Sequence, residues 1–408
     1  MSSRFKFLFL TVSTGLVILL LLGVMMGKST SSDGAYRQLA VYTEVLNRIK
    51  TDYVEEPDLK SVTLGALNGL LESIDPFASF LNADQYKEYL KDKGRLRGSV
   101  GIILSKKYGY LNVVSAVPGS PAAKVMKTLD ILESIKGIST RDMPLAYADL
   151  LLQGEPGTTV EITLAATRRP DPQKITLTRA VIPDPPLESK TLPDSVGYIR
   201  PETLTPAKVT QVASVLAELR RQGADKLVLD LRQCAIGEPE DGIALANLFL
   251  DKGEIAYAKG QKYPRKDFNA DASKDVWRLP VVVITNRGTA GASEVAAAAL
   301  LDDKRAEVVG EKTYGNASIR RAINMEDGGA LILAVAKYYS PDGKAIQDTG
   351  VTPSVPVAEA EPAPEVDEEG MPVRPQTPEA KPQEDLLLKK AIEVLTTGNT
   401  KAAAARVP

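Results

Sequence analysis

The chain of 408 residues contains no histidine. That absence removes the Ser-His-Asp triad, the Cys-His dyad and every zinc site that uses imidazole. A single cysteine, Cys234, excludes an internal disulfide and any CxxC redox or metal motif, and reads as a small buried apolar residue. Nor does one sign of charge dominate. The 50 basic and 52 acidic side chains leave a net charge of −2, so nothing electrostatic favours nucleic acid as a partner. Metal-ligand spacings and phosphate-binding loops are missing as well, and no cofactor or metal is expected. Hydrolytic chemistry in such a chain has to run on Ser or Thr with Lys, or on carboxylates.

What is present divides the chain into blocks. Arg4 and Lys6 precede an uncharged run from Phe7 to Met26. At about 1.5 Å per residue that run spans a bilayer core of roughly 30 Å. The basic flank predicts a cytoplasmic start, with everything after Lys28 outside the cytoplasmic membrane, in a periplasm if the source has one. A cleaved signal peptide is the rival reading, but Gly23 to Gly27 offers no A-x-A-like site. Residues 35–94 read as helical, with Leu39, Tyr42, Val45, Leu46 and Ile49 at helical spacing and Asn82-Ala83-Asp84 as a helix cap. Residues 95–182 change to short strands, such as Tyr110 to Val114 and Val160 to Leu164, punctuated by Gly and Pro. Over 185–357 strands alternate with helices, which implies a partly parallel α/β layer. Residues 358–383 are Pro- and Glu-rich and read as a disordered linker, and 384–397 as a short amphipathic C-terminal helix.

Several phrases resemble a known family. Leu227 to Arg232 is similar to the "LILDLR" strand of the carboxy-terminal processing (tail-specific) peptidases of the S41 type. Tyr338 to Gln347 is similar to their "YYTPSGRSIQ", and Asp75 to Leu81 to their "DPYTxFL". Pro118 to Ala122 resembles a phrase of the family's PDZ domain. The resemblance runs in order over about residues 35 to 357. It implies a multidomain α+β chain: a transmembrane helix at 7–26, a helical region, a PDZ-like β domain and an α/β core of the Ser-Lys-peptidase kind. In such proteins a deprotonated lysine replaces histidine as the base that activates serine.

The positions that carry chemistry in the family read differently here. Thr289 to Glu294 resembles the "SASASE" phrase, and Gly291 falls where the serine would be. Thr313 to Ala317 resembles "TFGKG", and Asn316 falls on the lysine, an amide with no basicity near neutral pH. Arg320 takes the place of a supporting glutamine. The "NNPGG" turn expected to stabilise the oxyanion reads Gln233 to Gly237, with Ile236 where the backbone would need to approach closely. Gly291-Ala292-Ser293 is not a G-x-S-x-G phrase, because Val295 replaces its closing glycine. A relocated pair, Ser293 and Lys312, is the fallback. Two helical residues turn a side chain by about 200° from the usual direction. For binding, Val100-Gly101-Ile102 fits a loop whose amides hold a terminal carboxylate. The phrase Val125 to Leu132 lacks the glycines that the family's next turn uses.

These readings predict a membrane-anchored pseudopeptidase that binds protein C-terminal tails, or that scaffolds an active homologous peptidase or a second copy. The first alternative is an active C-terminal processing endopeptidase that uses Ser293 and Lys312. The second is a purely structural envelope protein.

Overall fold

The structure, a computed structural model, describes residues 32–92, 98–141, 143–165, 171–359 and 385–397. The expected anchor at 7–26 and all but the first two residues of the expected linker lie outside these. Among the described residues no helix is long and apolar enough to cross a membrane. The chain divides into two units, Met1–Ala66 and Leu67–Pro408. In the first, helix α1 (Ser32–Asp52) leaves Leu39, Val41 and Val45 exposed, and α2 (Leu59–Glu72) begins.

The second unit holds three sheets. After β1 (Ser79–Leu81), helix α3 (Ala83–Asp92) starts at a reciprocal cap. Asn82 Oδ1 accepts from the Gln85 amide at 3.0 Å while Gln85 Oε1 accepts from the Asn82 amide at 3.1 Å. The β-rich module that follows contains β2 (Ile102–Lys107), β3 (Tyr110–Ala116), β4 (Ile131–Ile135), β5 (Ile138–Ser139), α4 (Leu145–Leu152), β6 (Thr159–Ala165) and β7 (Gln173–Thr178). Its sheet runs in the order β2-β3-β4-β6-β7, all antiparallel, with β5 folded back on β4. Alternation along β6, where Val160, Ile162 and Leu164 are buried and Thr159 and Glu161 exposed, turns one face into a core with Leu111, Leu132 and Ile135.

The central sheet contains β8 (Glu188–Leu192), β9 (Val196–Arg200), β10 (Lys226–Asp230), β13 (Val281–Thr285), β14 (Ala306–Gly310) and β17 (Val355–Pro356). It is ordered β17-β14-β13-β10-β9-β8, parallel except for β8. Helices α5 (Pro206–Arg221), α6 (Pro239–Asn247) and α7 (Ala292–Asp302) join these strands. Strand β13 is five buried apolar or β-branched residues in a row, as a strand covered on both faces requires. Helix α6 begins and ends earlier than the hydrophobic pattern suggests. Pro239 pre-sets its first turn, and Glu238 with Asp241 caps it. A third sheet, β1-β16-β11-β12 with β15 on β16, is built from β11 (Glu254–Lys259), β12 (Lys266–Asn269), β15 (Ser318–Asn324) and β16 (Ala330–Tyr339).

The C-terminal helix α8 (Leu386–Thr396) covers the second face of the central sheet. Leu387, Ala391, Val394 and Leu395 pack on Val196, Val228, Val282 and Val309. Asp385 caps its first turn through the Leu388 amide at 3.0 Å and pairs with Arg232 at 2.8 Å. Replacing Leu387, 1% exposed, by alanine should cost about 2 to 5 kcal/mol, whereas Leu386→Ala, at a residue 42% exposed, should stay within about 0.5 kcal/mol. Urea unfolding followed by the fluorescence of Trp277, the single and fully buried tryptophan, checks this. Equal losses for the two variants would contradict the packing.

Candidate active site

In open α/β sheets, functional sites form beyond the carboxyl ends of parallel strands. Here β10 leads into the turn Leu231 to Gly237, and its neighbour β13 leads through Asn286 to Gly291 into α7. Gly291 stands at the junction with φ 67° and ψ −122°, a backbone conformation that side chains rarely adopt. A strand, a sharp strained turn and a helix are the geometry of a nucleophile elbow, centred on residue 291 itself although the G-x-S-x-G phrase is absent. There is room there for a side-chain carbon. A Cβ built on Gly291 would lie 3.7 Å from the carbonyl oxygens of Asn316 and Gly237 and 3.9 Å from that of Ala235.

Glu294 holds this corner together. Its carboxylate accepts from the Gly291 amide at 3.0 Å, the Gly315 amide at 2.6 Å, the Asn316 amide at 2.7 Å and the Thr313 hydroxyl. The residue is fully buried. Burial pushes its carboxyl up to about 7, while the four donors pull the other way. Positions 291 and 316, where the family resemblance places a serine and a lysine, are thus joined through one buried side chain. The sequence signal was available: Glu294 is the third residue after the helix cap, where a capping box places an acid.

The other expected residues fall as follows. Asn316 Oδ1 accepts from Arg320 Nη2 at 2.7 Å, and the Arg320 guanidinium lies over the Phe77 ring at 4.4 Å. Burial lowers the Arg320 proton affinity. Ser293 is fully buried, and among the described residues its Oγ has no hydrogen-bond partner. It sits by the Cys234 thiol, which burial pushes up to about 12. Lys312 is exposed at the surface. The structure therefore brings Gly291 and Asn316 together and leaves Ser293 and Lys312 apart in environment, one sealed and one solvated. Thr289 is no substitute, since its hydroxyl donates to the Leu231 carbonyl at 2.8 Å and accepts from the Asn286 amide at 3.1 Å.

The turn after β10 is stitched from several sides. Gln233 has φ 58°, an uncommon value for a residue other than glycine. Its amide donates to Asn286 Oδ1 at 3.1 Å, and its Oε1 accepts from Thr128 Oγ1 at 3.1 Å in the β-rich module. Its side chain fills the space that a Cβ at Gly288 would need, 2.3 Å away. Behind the turn, Arg232 donates to both oxygens of the buried Asp230, which also accepts from the Tyr198 hydroxyl at 2.8 Å. Sequence reasoning had not assigned Gln233, Asp230 or Arg232 these roles. In the expected carboxylate loop, Val100 is fully buried, the Gly101 amide donates to Ser99 Oγ at 3.0 Å, and Ile102 opens β2 opposite Ala116. The glycine-free turn beyond is made by Leu129 at φ 76°, with Asp130 Oδ2 accepting from the Lys127 amide at 2.8 Å.

Comparison with known proteins decides the kinship. Residues 195–357 match peptidase family S41. The carboxy-terminal-processing protease of Bartonella bacilliformis is 30% identical over 337 residues, 81% of this chain and 77% of that one. The chain belongs to peptidase family S41. The carboxyl-terminal-processing protease of Synechocystis sp. is 32% identical over 314 residues, 75% of this chain and 73% of the relative. Among solved structures, that of the photosystem II D1 C-terminal processing protease superposes with a TM-score of 0.64 at 27% identity, covering 81% of this chain and 95% of the other. These findings correct the expectation of a pseudopeptidase. The S41 relatives are named as processing proteases, and none of these names points to a member that only binds. Physically, that expectation weighed single side chains, whereas the elbow conformation and its buried brace are both in place.

The Glu294 carboxyl stands well above its ordinary value of 4.5, so the fold favours its neutral form. Its contribution to stability is full below the unfolded value and is lost as pH rises through about 7. Stability of the wild type should therefore fall between about pH 5 and pH 8, and Glu294→Gln, less stable by about 1 to 3 kcal/mol, should lose that slope. Urea midpoints at the two pH values test this; an unchanged slope in the variant would refute it.

Proposed function

We propose that this chain cleaves the carboxy-terminal tails of proteins outside the cytoplasmic membrane, as a serine-type endopeptidase anchored through residues 7–26. The observation that carries the reading is kinship of 30 to 32% over most of the chain with proteins named as carboxy-terminal processing proteases. The elbow at Gly291 and the Glu294 brace support it, because they are scaffold features that a tail-binding module has no need of. The β-rich module is read as PDZ-like, a six-strand antiparallel sheet whose edge strand β2 lies beside α4. It would hold the tail while the α/β core acts on it.

With no side chain at residue 291, the attacking hydroxyl has to come from beside it. Ser293, in the first turn of α7, is the candidate, and Lys312, two residues past the end of β14, is its base. Ser293 Oγ would add to the scissile carbonyl carbon and pass its proton to Lys312 Nζ. The tetrahedral adduct then collapses, the amine leaves with that proton, and water hydrolyses the ester. Burial of Ser293 requires the first turn of α7 to open when a tail binds. Such apo misalignment is common at catalytic pairs.

Mass spectrometry of unstructured peptides incubated with residues 30–408 tests the reading. Cleavage by the wild type that falls at least about a hundredfold in Ser293→Ala and in Lys312→Ala supports it. No cleavage by the wild type, together with cleavage by a Gly291→Ser, Asn316→Lys double variant, would overturn it.

A further inference from the structure

Backbone donors at the elbow are already engaged. The amides of Gly291, Gly315 and Asn316 go to the Glu294 carboxylate, that of Ala290 to the Cys234 carbonyl at 3.1 Å, and that of Gly288 to Asn286 Oδ1 at 3.1 Å. The place where a side-chain carbon of residue 291 would stand is bordered by acceptors, the carbonyl oxygens of Asn316, Gly237 and Ala235. Negative charge developing there in acyl transfer is repelled by those oxygens unless a further donor offsets them.

One side chain of a residue bordering that place has a donor to spare. The Asn316 carboxamide accepts from Arg320 Nη2 at 2.7 Å through Oδ1, and among the described residues no acceptor meets its Nδ2. A carboxamide is planar, with an acceptor at one end and two N–H donors at the other, so holding the oxygen also orients the donors. An extended chain would set the Cα atoms of residues 316 and 320 about 13 Å apart, so their contact has to be built. Strand β15 pairs Ile319 with Ala336 but Arg320 with Ala334, so Val335 bulges out of the ladder and the strands bend locally. The guanidinium then lies over the Phe77 ring at 4.4 Å, in the field of the buried Asp75 carboxylate.

We propose that Asn316 Nδ2 donates to the scissile carbonyl oxygen as it becomes an oxyanion, and that Arg320 is the positioning residue that holds the carboxamide for this task. The guanidinium charge also polarises the carboxamide and makes Nδ2–H a stronger donor. When Ser293 Oγ adds to the carbonyl carbon, the electron pair of the C=O bond moves to its oxygen, which accepts the hydrogen bond. Collapse of the adduct returns that pair as the amine leaves, and Asn316 neither gains nor loses a proton. The role rests on the reading of the chain as a serine peptidase and names a residue that stabilises its intermediate. An amide that cannot act as a base thereby serves the site in another way.

Kinetics of the full chain in detergent micelles on a fluorogenic peptide test it, together with the affinity for the matching peptide aldehyde. A serine hydroxyl adds reversibly to the aldehyde and places a tetrahedral oxygen in the site. Asn316→Ala should lower kcat about a hundredfold or more with KM within about twofold, and should weaken the aldehyde by a similar factor. Asn316→Asp, which still accepts from Arg320 and so keeps the fold but has no N–H, should lose as much. Arg320→Met should cost about tenfold in kcat in the wild type and nothing further beside Asn316→Ala, and Arg320→Lys should restore part of the loss. Arg221→Ala, at an exposed arginine of α5 paired with Glu218, should keep wild-type kinetics. Wild-type kcat in Asn316→Asp, or losses in the Asn316 and Arg320 variants that simply add, would overturn the role and leave the peptidase reading standing. A wild type that neither cleaves the peptide nor binds the aldehyde more tightly than the parent amide forms no oxyanion, and would overturn both.

Discussion

The corner where β13 enters α7 depends on one buried carboxylate. Taking a carboxyl group fully out of water costs several kcal/mol unless hydrogen bonds replace the lost solvent. Glu294 gains four of them, three from backbone amides on two separate loops. The amides of residues 291, 315 and 316 would each be a buried orphan without it. Thr313, which donates to the same carboxylate, also accepts from the Val351 amide at 2.7 Å, so the brace extends to the segment that leads into β17. One side chain, with the Tyr314 amide bond to the Thr289 carbonyl, therefore sets the distance between the helix start and the segment that carries Asn316.

A second set of contacts fixes the turn opposite that corner. Asp230, Arg232 and Asp385 form a chain of charges from the buried end of β10 to the cap of the C-terminal helix. Tyr198 completes the shell around Asp230. The Asp385 carboxyl is held below its usual range by the Arg232 guanidinium and the Leu388 amide, although its partial burial pushes the other way. Gln233 ties the same turn to the β-rich module. The turn is thus held by three parts of the second unit at once, which explains how residue 233 keeps a left-handed backbone without being glycine.

Much of this was legible in the residues. The apolar, β-branched run from Val281 to Thr285 fits a strand and the Ala-rich run from Ala292 a helix, and both form. That positions 291 and 316 belong to one site was what the family resemblance implied. The glycine at 291 was read as a lost side chain, while its φ of 67° gives it a backbone role that no motif displays. That difference is where the pseudopeptidase expectation went astray. The partners of Glu294 were not legible, because a carboxylate that gathers amides from residues 315 and 316 is a tertiary fact with no sequence period. Leu129 misled in the same way: the missing glycines suggested a broken turn, and a strained leucine makes it instead.

The central claim is that the Glu294 carboxyl, beside the Tyr314 amide bond to the Thr289 carbonyl at 3.0 Å, binds the two halves of the site into a unit. Amide hydrogen exchange, resolved at Gly291, Gly315 and Asn316 in the wild type and in Glu294→Ala, tests it most directly. The account predicts strong protection at all three amides in the wild type and its joint loss in the variant, while the β13 amides stay protected. Protection surviving at Gly315 and Asn316 in the variant, or lost in β13 as well, would contradict it.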